Sequence, residues 1–168
     1  MRYICKASAI IVLFGLISCE KQNSENIDVD TFVDLLVSGQ YESNELPAFS
    51  KSDIPALLSY RNETTIITNF PRNFLSSYFQ PKCRLGMYVL WAIESVRAIE
   101  IDSEYLIGRF PSLNPVLALN DASPLELVSD DQSHIDAADA YYEWWNSSYL
   151  FGDRMEIDPL EDTEYRWH

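Results

Sequence analysis

For nucleophilic catalysis by a thiol, the sequence offers a single candidate. Cys83 is the single thiol beyond residue 19, and His134 and His168 are the two imidazoles of the chain. A nearby base or a helix N-terminus can activate a thiol, so Cys83 with His134 is the available pair. However, Cys83 directly precedes the most apolar segment, which favours a buried, inert thiol. We predict no catalytic residue and lean against an enzyme, although a hydrolase with acids distant in sequence stays open.

One local cluster has side chains that could bind a metal ion. Asp130, Asp131, His134 and Asp136 lie within seven residues, and some of them would share a face of a helix. The alternative is that the acids stand at a helix N-terminus, where the helix dipole stabilises them. We favour that alternative. No glycine-rich phosphate loop or dinucleotide motif is present, so the sequence predicts no metal and no cofactor.

A cluster of aromatic residues could form a ligand surface. The segment includes Tyr141, Tyr142, Trp144 and Trp145. At helical spacing, Tyr142 and Trp145 fall on the predicted core face, whereas Tyr141 and Trp144 share a different face. Exposed aromatic rings offer a flat surface for sugars or an anchor for a protein. Tyr141, Trp144 and Trp145 are therefore the predicted ligand surface, and packing against another helix is the alternative.

The N-terminal segment has the pattern of a signal peptide. Arg2 and Lys6 precede a run of apolar residues that is shorter than the roughly 20 residues needed to span a bilayer. The run ends in Leu16-Ile17-Ser18-Cys19, which resembles the lipobox of bacterial lipoprotein precursors. The resemblance implies cleavage between Ser18 and Cys19, lipidation of Cys19 and attachment to a membrane through that lipid.

Charge excludes one class of partner. The chain carries 12 basic and 26 acidic residues, a net charge of −14 that becomes −16 without Arg2 and Lys6. Such a chain repels phosphate backbones, so we expect no binding to nucleic acid. The 13% aromatic content argues against disorder. We divide the chain into a signal peptide (1–18), a lipidated cysteine with a flexible tether (19–27) and one domain with an irregular acidic tail (28–168).

Hydrophobic periodicity predicts a mainly α fold. Helices are expected over residues 28–39, 52–60, 84–99 and 133–149, with Ser52 as an N-cap, and the third should lie at the centre of the core. Residues 64–68 are β-branched throughout and form the one predicted strand region. Prolines and a glycine interrupt residues 100–131, so no long element is expected there. We predict a single compact helical domain, and HEAT-like helix pairs are one arrangement that it could adopt.

Two segments, together with the lipobox, resemble a known group of proteins. They are Asp53-Ile54-Pro55-Ala56-Leu57-Leu58 and the segment from Cys83 to Trp91. The chain resembles the small lipoproteins of Bacteroides and relatives, a family of unknown function. The resemblance implies export to the cell envelope, with the periplasmic or surface face undetermined. We expect a non-catalytic domain that binds a protein or acts as a scaffold, or alternatively a glycan-binding accessory module.

Overall fold

The computed structural model describes residues 27–147 and 154–168. The predicted signal peptide, Ser18, Cys19 and nearly all of the tether lie outside the described residues, as does the predicted end of the last helix at Tyr149. The helices are α1 (Val29–Ser38), α2 (Ile54–Ser59), α3 (Leu85–Glu100) and α4 (Asp131–Asn146). The strands are β1 (Ile66–Ile67), β2 (Cys83–Arg84), β3 (Leu117–Leu119), β4 (Leu127–Val128) and β5 (Tyr165–Trp167).

Helix α1 begins and ends as its sequence predicts. The Asp28 carboxylate accepts a hydrogen bond from the Thr31 N–H at 2.8 Å, which caps the first turn. Gly39 ends the helix in the left-handed conformation, with φ of 70°, which a glycine adopts without steric cost. The predicted core face is confirmed, because Val33 and Leu36 are buried.

Helix α2 starts later than predicted. Residues Lys51–Asp53 form a single 3-10 turn, and α2 continues from Ile54. The cap involves Ser50 instead of Ser52, because the Asp53 carboxylate accepts the Ser50 N–H at 2.8 Å. Pro55 lies in the first turn of α2, where its missing N–H disrupts no helical hydrogen bond.

Helix α3 is the centre of the core, as its nearly continuous apolar surface predicts. Every residue from Leu85 to Val96 is buried. Helices α1, α2 and α4 all pack against α3. The rings of Tyr88 and Trp91 on α3 pack at 5.7 Å, and Trp91 stacks on Phe110 at 5.3 Å, so aromatic side chains fill the space between α3 and the loops.

The prediction of a mainly α, HEAT-like fold is wrong. The described residues contain two antiparallel sheets: β1 pairs with β2, and the second sheet has the order β4-β3-β5. Leu119 pairs with Tyr165, and Ile67 pairs with Cys83. Each strand has two or three residues, too few for a period-two pattern, and β5 is distant in sequence from its partner β3.

Candidate functional site

Residues 74–79 form an exposed loop, named here the aromatic loop. Its large apolar side chains are exposed by 81% (Phe74), 58% (Leu75), 45% (Tyr78) and 72% (Phe79). Burial of apolar surface stabilises a protein by roughly 25 cal/mol per Å², and the exposed side chains of this loop do not contribute that stabilisation. Contiguous exposed apolar patches mark surfaces that another molecule covers.

Arg72 fixes the base of the aromatic loop. Its guanidinium donates from Nε to the Gln80 carbonyl at 3.2 Å and from Nη2 to the Thr68 carbonyl at 3.1 Å. It therefore joins the chain before the loop to the chain after it. The same group lies 4.2 Å from the centroid of the Phe70 ring and 5.3 Å from that of Phe79. These contacts hold Phe79 beside a cation at the surface.

A buried asparagine connects the aromatic loop to the core. The Asn73 side chain donates from Nδ2 to the Ser112 carbonyl at 3.0 Å, and its Oδ1 accepts the Leu75 N–H at 3.0 Å. The Ser112 hydroxyl accepts the Trp91 indole N–H at 2.8 Å. The loop is thus linked through Ser112 to helix α3, although its own apolar side chains face solvent.

The aromatic loop lies in a stretch without acidic residues. Residues 64–93 contain Arg72, Lys82 and Arg84 but no Asp or Glu, in a chain with a net charge of −14. The cations in and beside the loop are therefore not paired with acids from the same stretch of sequence, although Asp130 and Asp131 of α4 lie against Arg84.

A pocket of about 440 Å³ adjoins the aromatic loop, with Tyr78 as a shared residue. Segments from β1, β2, the first turns of α3 and α4, and β4 form its walls. Its apolar lining includes Ile66, Met87, Val116 and Val128. The volume is in the range of pockets that bind small organic molecules.

The polar wall of the pocket contains a buried amide and two cations. Gln80 is exposed by 9%, and its Oε1 atom is buried with no hydrogen-bond partner in the described part of the chain. Lys82 and Arg84 line the same pocket. Arg84 donates from Nη2 to Asp131 Oδ1 at 2.5 Å and from Nη1 to the Asp130 carbonyl at 3.2 Å, so it joins β2 to the start of α4.

The Cys83 thiol lines the pocket and is buried. Its single Sγ–H has two carbonyl acceptors within reach, that of Arg84 at 3.3 Å and that of Pro115 at 3.6 Å. Burial raises the pKa of Cys83 to about 12. The thiol is consequently protonated near neutral pH, and its hydrogen-bond partners in the described part of the chain are backbone carbonyls and not an activating base.

The His134 ring lies close to helix α3 at Gly86. Its Nε2–H donates to the Arg61 carbonyl at 2.8 Å, because a carbonyl oxygen can only accept. A side-chain carbon on Gly86 would lie 2.4 Å from that carbonyl oxygen and 2.5 Å from His134 Nε2. Burial lowers the pKa of His134, which keeps the ring neutral at pH 7. The imidazole therefore joins Arg61 to α4 and does not pair with Cys83.

Comparison with known proteins supplies a family for this chain. The model of a family described as a domain of unknown function (DUF4943) matches residues 23–168. The chain belongs to this family. No curated protein and no solved structure matches it.

The acidic cluster of this DUF4943 chain serves helix α4. Asp130 is the N-cap, and its Oδ1 accepts the Ser133 N–H at 2.9 Å, which lowers the pKa of Asp130. Asp131 pairs with Arg84, and Asp136 accepts hydrogen bonds from Gln132 and from the Tyr165 hydroxyl. Across residues 27–147 and 154–168, no three His, Cys, Asp or Glu side chains are placed to hold a metal ion.

The predicted ligand surface on helix α4 is wrong for two of its three residues. Tyr141 and Trp144 are buried, and Trp145 is half-buried beside the Arg154 guanidinium. Tyr142, assigned to the core face, is exposed instead. The inner face of α4 is formed by small and polar residues at its start, and these let the helix approach α3 closely. The prediction chose the buried face of α4 from its large side chains, and it therefore chose the wrong face.

Sequence reasoning missed the aromatic loop. Its signal was present: two adjacent pairs of apolar residues, Phe74-Leu75 and Tyr78-Phe79, lie between Pro71 and Pro81. The prolines leave room for at most a short helix, which has no second element to cover both pairs.

Among the described residues of this DUF4943 chain, no helix combines the length and apolar composition needed to span a bilayer.

Proposed function

We propose that this chain is a non-catalytic, lipid-anchored domain of the bacterial cell envelope that binds a partner protein through its aromatic loop. The exposure of Phe74, Leu75, Tyr78 and Phe79 carries the proposal. Large aromatic side chains supply most of the binding energy in protein interfaces when a partner encloses them. The loop has the composition of such an anchor.

The surroundings of the loop favour a protein as the partner. Arg72 and Lys82 flank the apolar side chains, and no acid lies between residues 64 and 93. An apolar centre with a charged rim is the usual composition of a protein interface. The basic rim complements an acidic partner surface, whereas the acidic remainder of the chain repels anionic polymers.

Three observations support a binding role without catalysis. The Cys83 thiol is buried and has a raised pKa, the His134 imidazole is bonded to a backbone carbonyl, and the acids near His134 cap or pair within the fold. These groups have structural partners. The aromatic loop, by contrast, presents its side chains to solvent.

The aromatic loop is tested by photocrosslinking in the native host. A photoreactive p-benzoylphenylalanine replaces Phe74, and in a control strain it replaces Tyr105, which is 71% exposed outside the loop. We expect a discrete protein adduct from position 74 that position 105 does not give. With the purified partner, the double variant Phe74→Ser/Leu75→Ser should weaken binding by about tenfold or more, and Tyr105→Ser should not.

Two outcomes contradict a protein partner. One is crosslinking of position 74 to lipid without any protein adduct. The other is an equal affinity of the purified partner for the wild-type chain and the double variant. Folding of each variant is checked by circular dichroism before binding is measured.

Membrane attachment is proposed to depend on Cys19. The tether from Cys19 to Ile27 spans at most about 28 Å when fully extended, so the domain would stay near the bilayer. Two or more acyl chains anchor a protein firmly, whereas one chain does so marginally. Cys19→Ser should move the protein from the membrane fraction to the soluble fraction, and Cys83→Ser should not. Retention of Cys19→Ser in the membrane fraction would refute the lipid anchor.

A further inference from the structure

One buried amide links the tip of the aromatic loop to the residue that follows strand β5. The Asn114 side chain is buried, and its Nδ2 donates to the Ser76 hydroxyl oxygen at 2.7 Å and to His168 Nδ1 at 2.9 Å. The Asn114 N–H also donates to the His168 carbonyl at 2.8 Å, and the His168 N–H donates to the Val116 carbonyl at 3.1 Å. The backbone therefore places the imidazole, and Asn114 attaches the loop to it.

The contact between Asn114 and His168 requires a neutral imidazole. An asparagine Nδ2 can only donate, so His168 Nδ1 must accept the hydrogen bond, and the ring proton lies on Nε2. Protonation of Nδ1 would set two N–H donors against each other at this position. The hydrogen bond is therefore lost when the ring becomes an imidazolium.

Rotation of the Asn114 amide does not avoid this conflict. With Oδ1 and Nδ2 exchanged, Oδ1 would accept from a protonated His168, but the Ser76 hydroxyl would then also have to donate to Oδ1. That hydroxyl donates to the Tyr78 carbonyl at 3.1 Å and would have to give up this bond. Either response changes the hydrogen bonds of Ser76, so protonation reaches the loop in both cases.

The base of the aromatic loop is independent of the imidazole. Asn73 donates to the Ser112 carbonyl, and Arg72 donates to the Gln80 and Thr68 carbonyls. None of these three hydrogen bonds involves a group that loses or gains a proton near neutral pH. Protonation of His168 therefore acts on the tip of the loop and leaves its base in place.

The surroundings of His168 oppose protonation. The half-buried ring lies against the Tyr78 ring in a T-shaped arrangement, with the centroids 6.0 Å apart. Tyr78 is the one titratable residue in the segments 74–79 and 112–117, and Arg166 on β5 is the charged side chain that acts on the ring. Burial, and then the Arg166 cation, lower the pKa of His168. The neutral, bonded form is consequently present at pH 7 and is lost as the pH falls through this lowered pKa.

We propose that His168 is a proton-sensitive latch on the aromatic loop, which holds the loop tip when the imidazole is neutral and releases the tip when the imidazole is protonated. The latch rests on the proposed function, because it makes partner binding by this loop dependent on pH. A released tip must be ordered again when a partner encloses Tyr78 and Phe79, so acid should weaken binding.

The first test needs no partner. In the ¹⁵N- and ¹³C-labelled chain, NMR follows the His168 ring and the backbone amides of Ser76 and Tyr78 from about pH 7.5 to about pH 4.5. We expect both amides to titrate with the midpoint of the His168 ring and not with that of His134, the other histidine of the chain. The latch is refuted if the amides show no transition, if their midpoint differs from that of His168, or if the His168 ring stays neutral over this range.

Two neighbouring serines supply a variant and its matched control. Ser76→Ala removes the hydroxyl that Asn114 contacts, whereas Ser77→Ala removes the exposed hydroxyl of the next residue. The change in the Tyr78 amide on protonation of His168 should fall to about half or less in Ser76→Ala and should persist in Ser77→Ala. Equal changes in the two variants overturn the latch.

His168→Gln removes the titrating group and keeps a polar side chain. The transitions of the Ser76 and Tyr78 amides should disappear in this variant, and their persistence at the original midpoint contradicts the proposal. Ser76 is partly exposed, so its variant keeps the test informative if His168→Gln unfolds.

The second test uses the protein captured by crosslinking at position 74. Its dissociation constant should rise about threefold or more between pH 7.5 and the pH at which His168 is protonated, with a smaller rise for Ser76→Ala than for Ser77→Ala. Equal rises for the two variants show that the latch does not control binding. If position 74 captures no protein, the proposed partner binding fails, whereas the NMR titration still decides whether the loop follows His168.

Discussion

Gly86 allows three segments to meet where a side chain would not fit. It is the second residue of α3, and the Arg61 carbonyl and the His134 ring both approach it. The close approach brings the loop after α2 and the first turn of α4 against the central helix. One position without a side chain thus determines where His134 lies.

Replacement of Gly86 by alanine should therefore destabilise the protein. Within a helix, Gly→Ala in open space stabilises by about 1 kcal/mol. Here the new carbon would stand 2.4 Å from the Arg61 carbonyl oxygen, a backbone atom that can move away only if the loop shifts. We expect a net loss of about 1 to 3 kcal/mol in the free energy of unfolding, measured with urea.

Gly39→Ala is the comparison for this measurement. The nearest atom to a carbon added at Gly39 lies 3.9 Å away, so its cost arises from the positive φ alone and should be about 1 kcal/mol. A Gly86→Ala variant as stable as the wild type, or more stable, would show that the loop relaxes freely and would contradict the proposed close packing.

At the level of elements, the sequence predicted those whose signals are local. Helix α1 has an acidic cap and a terminal glycine, and α3 has a long apolar run, so both were identified with the correct burial. The position of helix α4 was predicted to within a few residues, but its buried face was predicted wrongly. The face depends on which neighbour α4 packs against, and its small residues Ala137 and Ala138 carry little periodic signal.

The strand β1 lies inside the predicted strand region 64–68, but the other strands and the candidate site could not be predicted from local sequence patterns. Leu117 pairs with both Val128 and Trp167, and a three-residue strand has no pattern of its own. The pocket combines Gln80, Met87, Val128 and His134 from separate elements. Only the exposed side chains of the aromatic loop had a sequence signal, in the form of apolar pairs between prolines.

Strand β5 brings a tryptophan to a buried polar network. The Trp167 indole N–H donates to the Tyr141 hydroxyl at 2.8 Å, and that hydroxyl donates to Glu94 Oε2 at 2.8 Å. The Arg97 guanidinium donates to both oxygens of Glu94. Burial raises the pKa of Glu94, despite the opposite effect of Arg97. The network connects β5, α4 and α3.

The variant Trp167→Phe should weaken this connection. It removes the N–H donor and keeps an aromatic ring, so we expect a loss of about 1 kcal/mol in the free energy of unfolding. Arg166→Gln, on the neighbouring exposed position of β5, should change stability by less than about 0.5 kcal/mol. Equal unfolding midpoints for the two variants would argue against a stabilising role for the indole hydrogen bond.

For the whole molecule, charge is distributed unevenly along the chain. The stretch from residue 64 to 93 carries cations and the aromatic loop, whereas the rest of the chain supplies all 26 acids. Net negative charge keeps copies of the chain apart in solution. High salt screens that repulsion and leaves the apolar attraction between aromatic loops unopposed.

We therefore expect the purified chain to self-associate weakly as salt concentration rises. Sedimentation velocity at low and high salt should show a larger average mass at high salt for the wild type. Phe74→Ser/Leu75→Ser should abolish the increase, and Tyr105→Ser, a matched change at another exposed aromatic, should preserve it. Association that persists unchanged in the double variant would place the contact elsewhere.

The position of β3 between β4 and β5 has a consequence for the order of folding. β4 follows β3 after a short connection, but β5 arrives much later in synthesis, and the His168 N–H then bonds to the Val116 carbonyl at 3.1 Å. Until that segment emerges, one edge of β3 is open, and Tyr141 lacks the indole partner. Closure of the sheet over such a sequence distance is a slow step. The nascent chain would thus keep an unpaired edge on β3 until β5 has been synthesised.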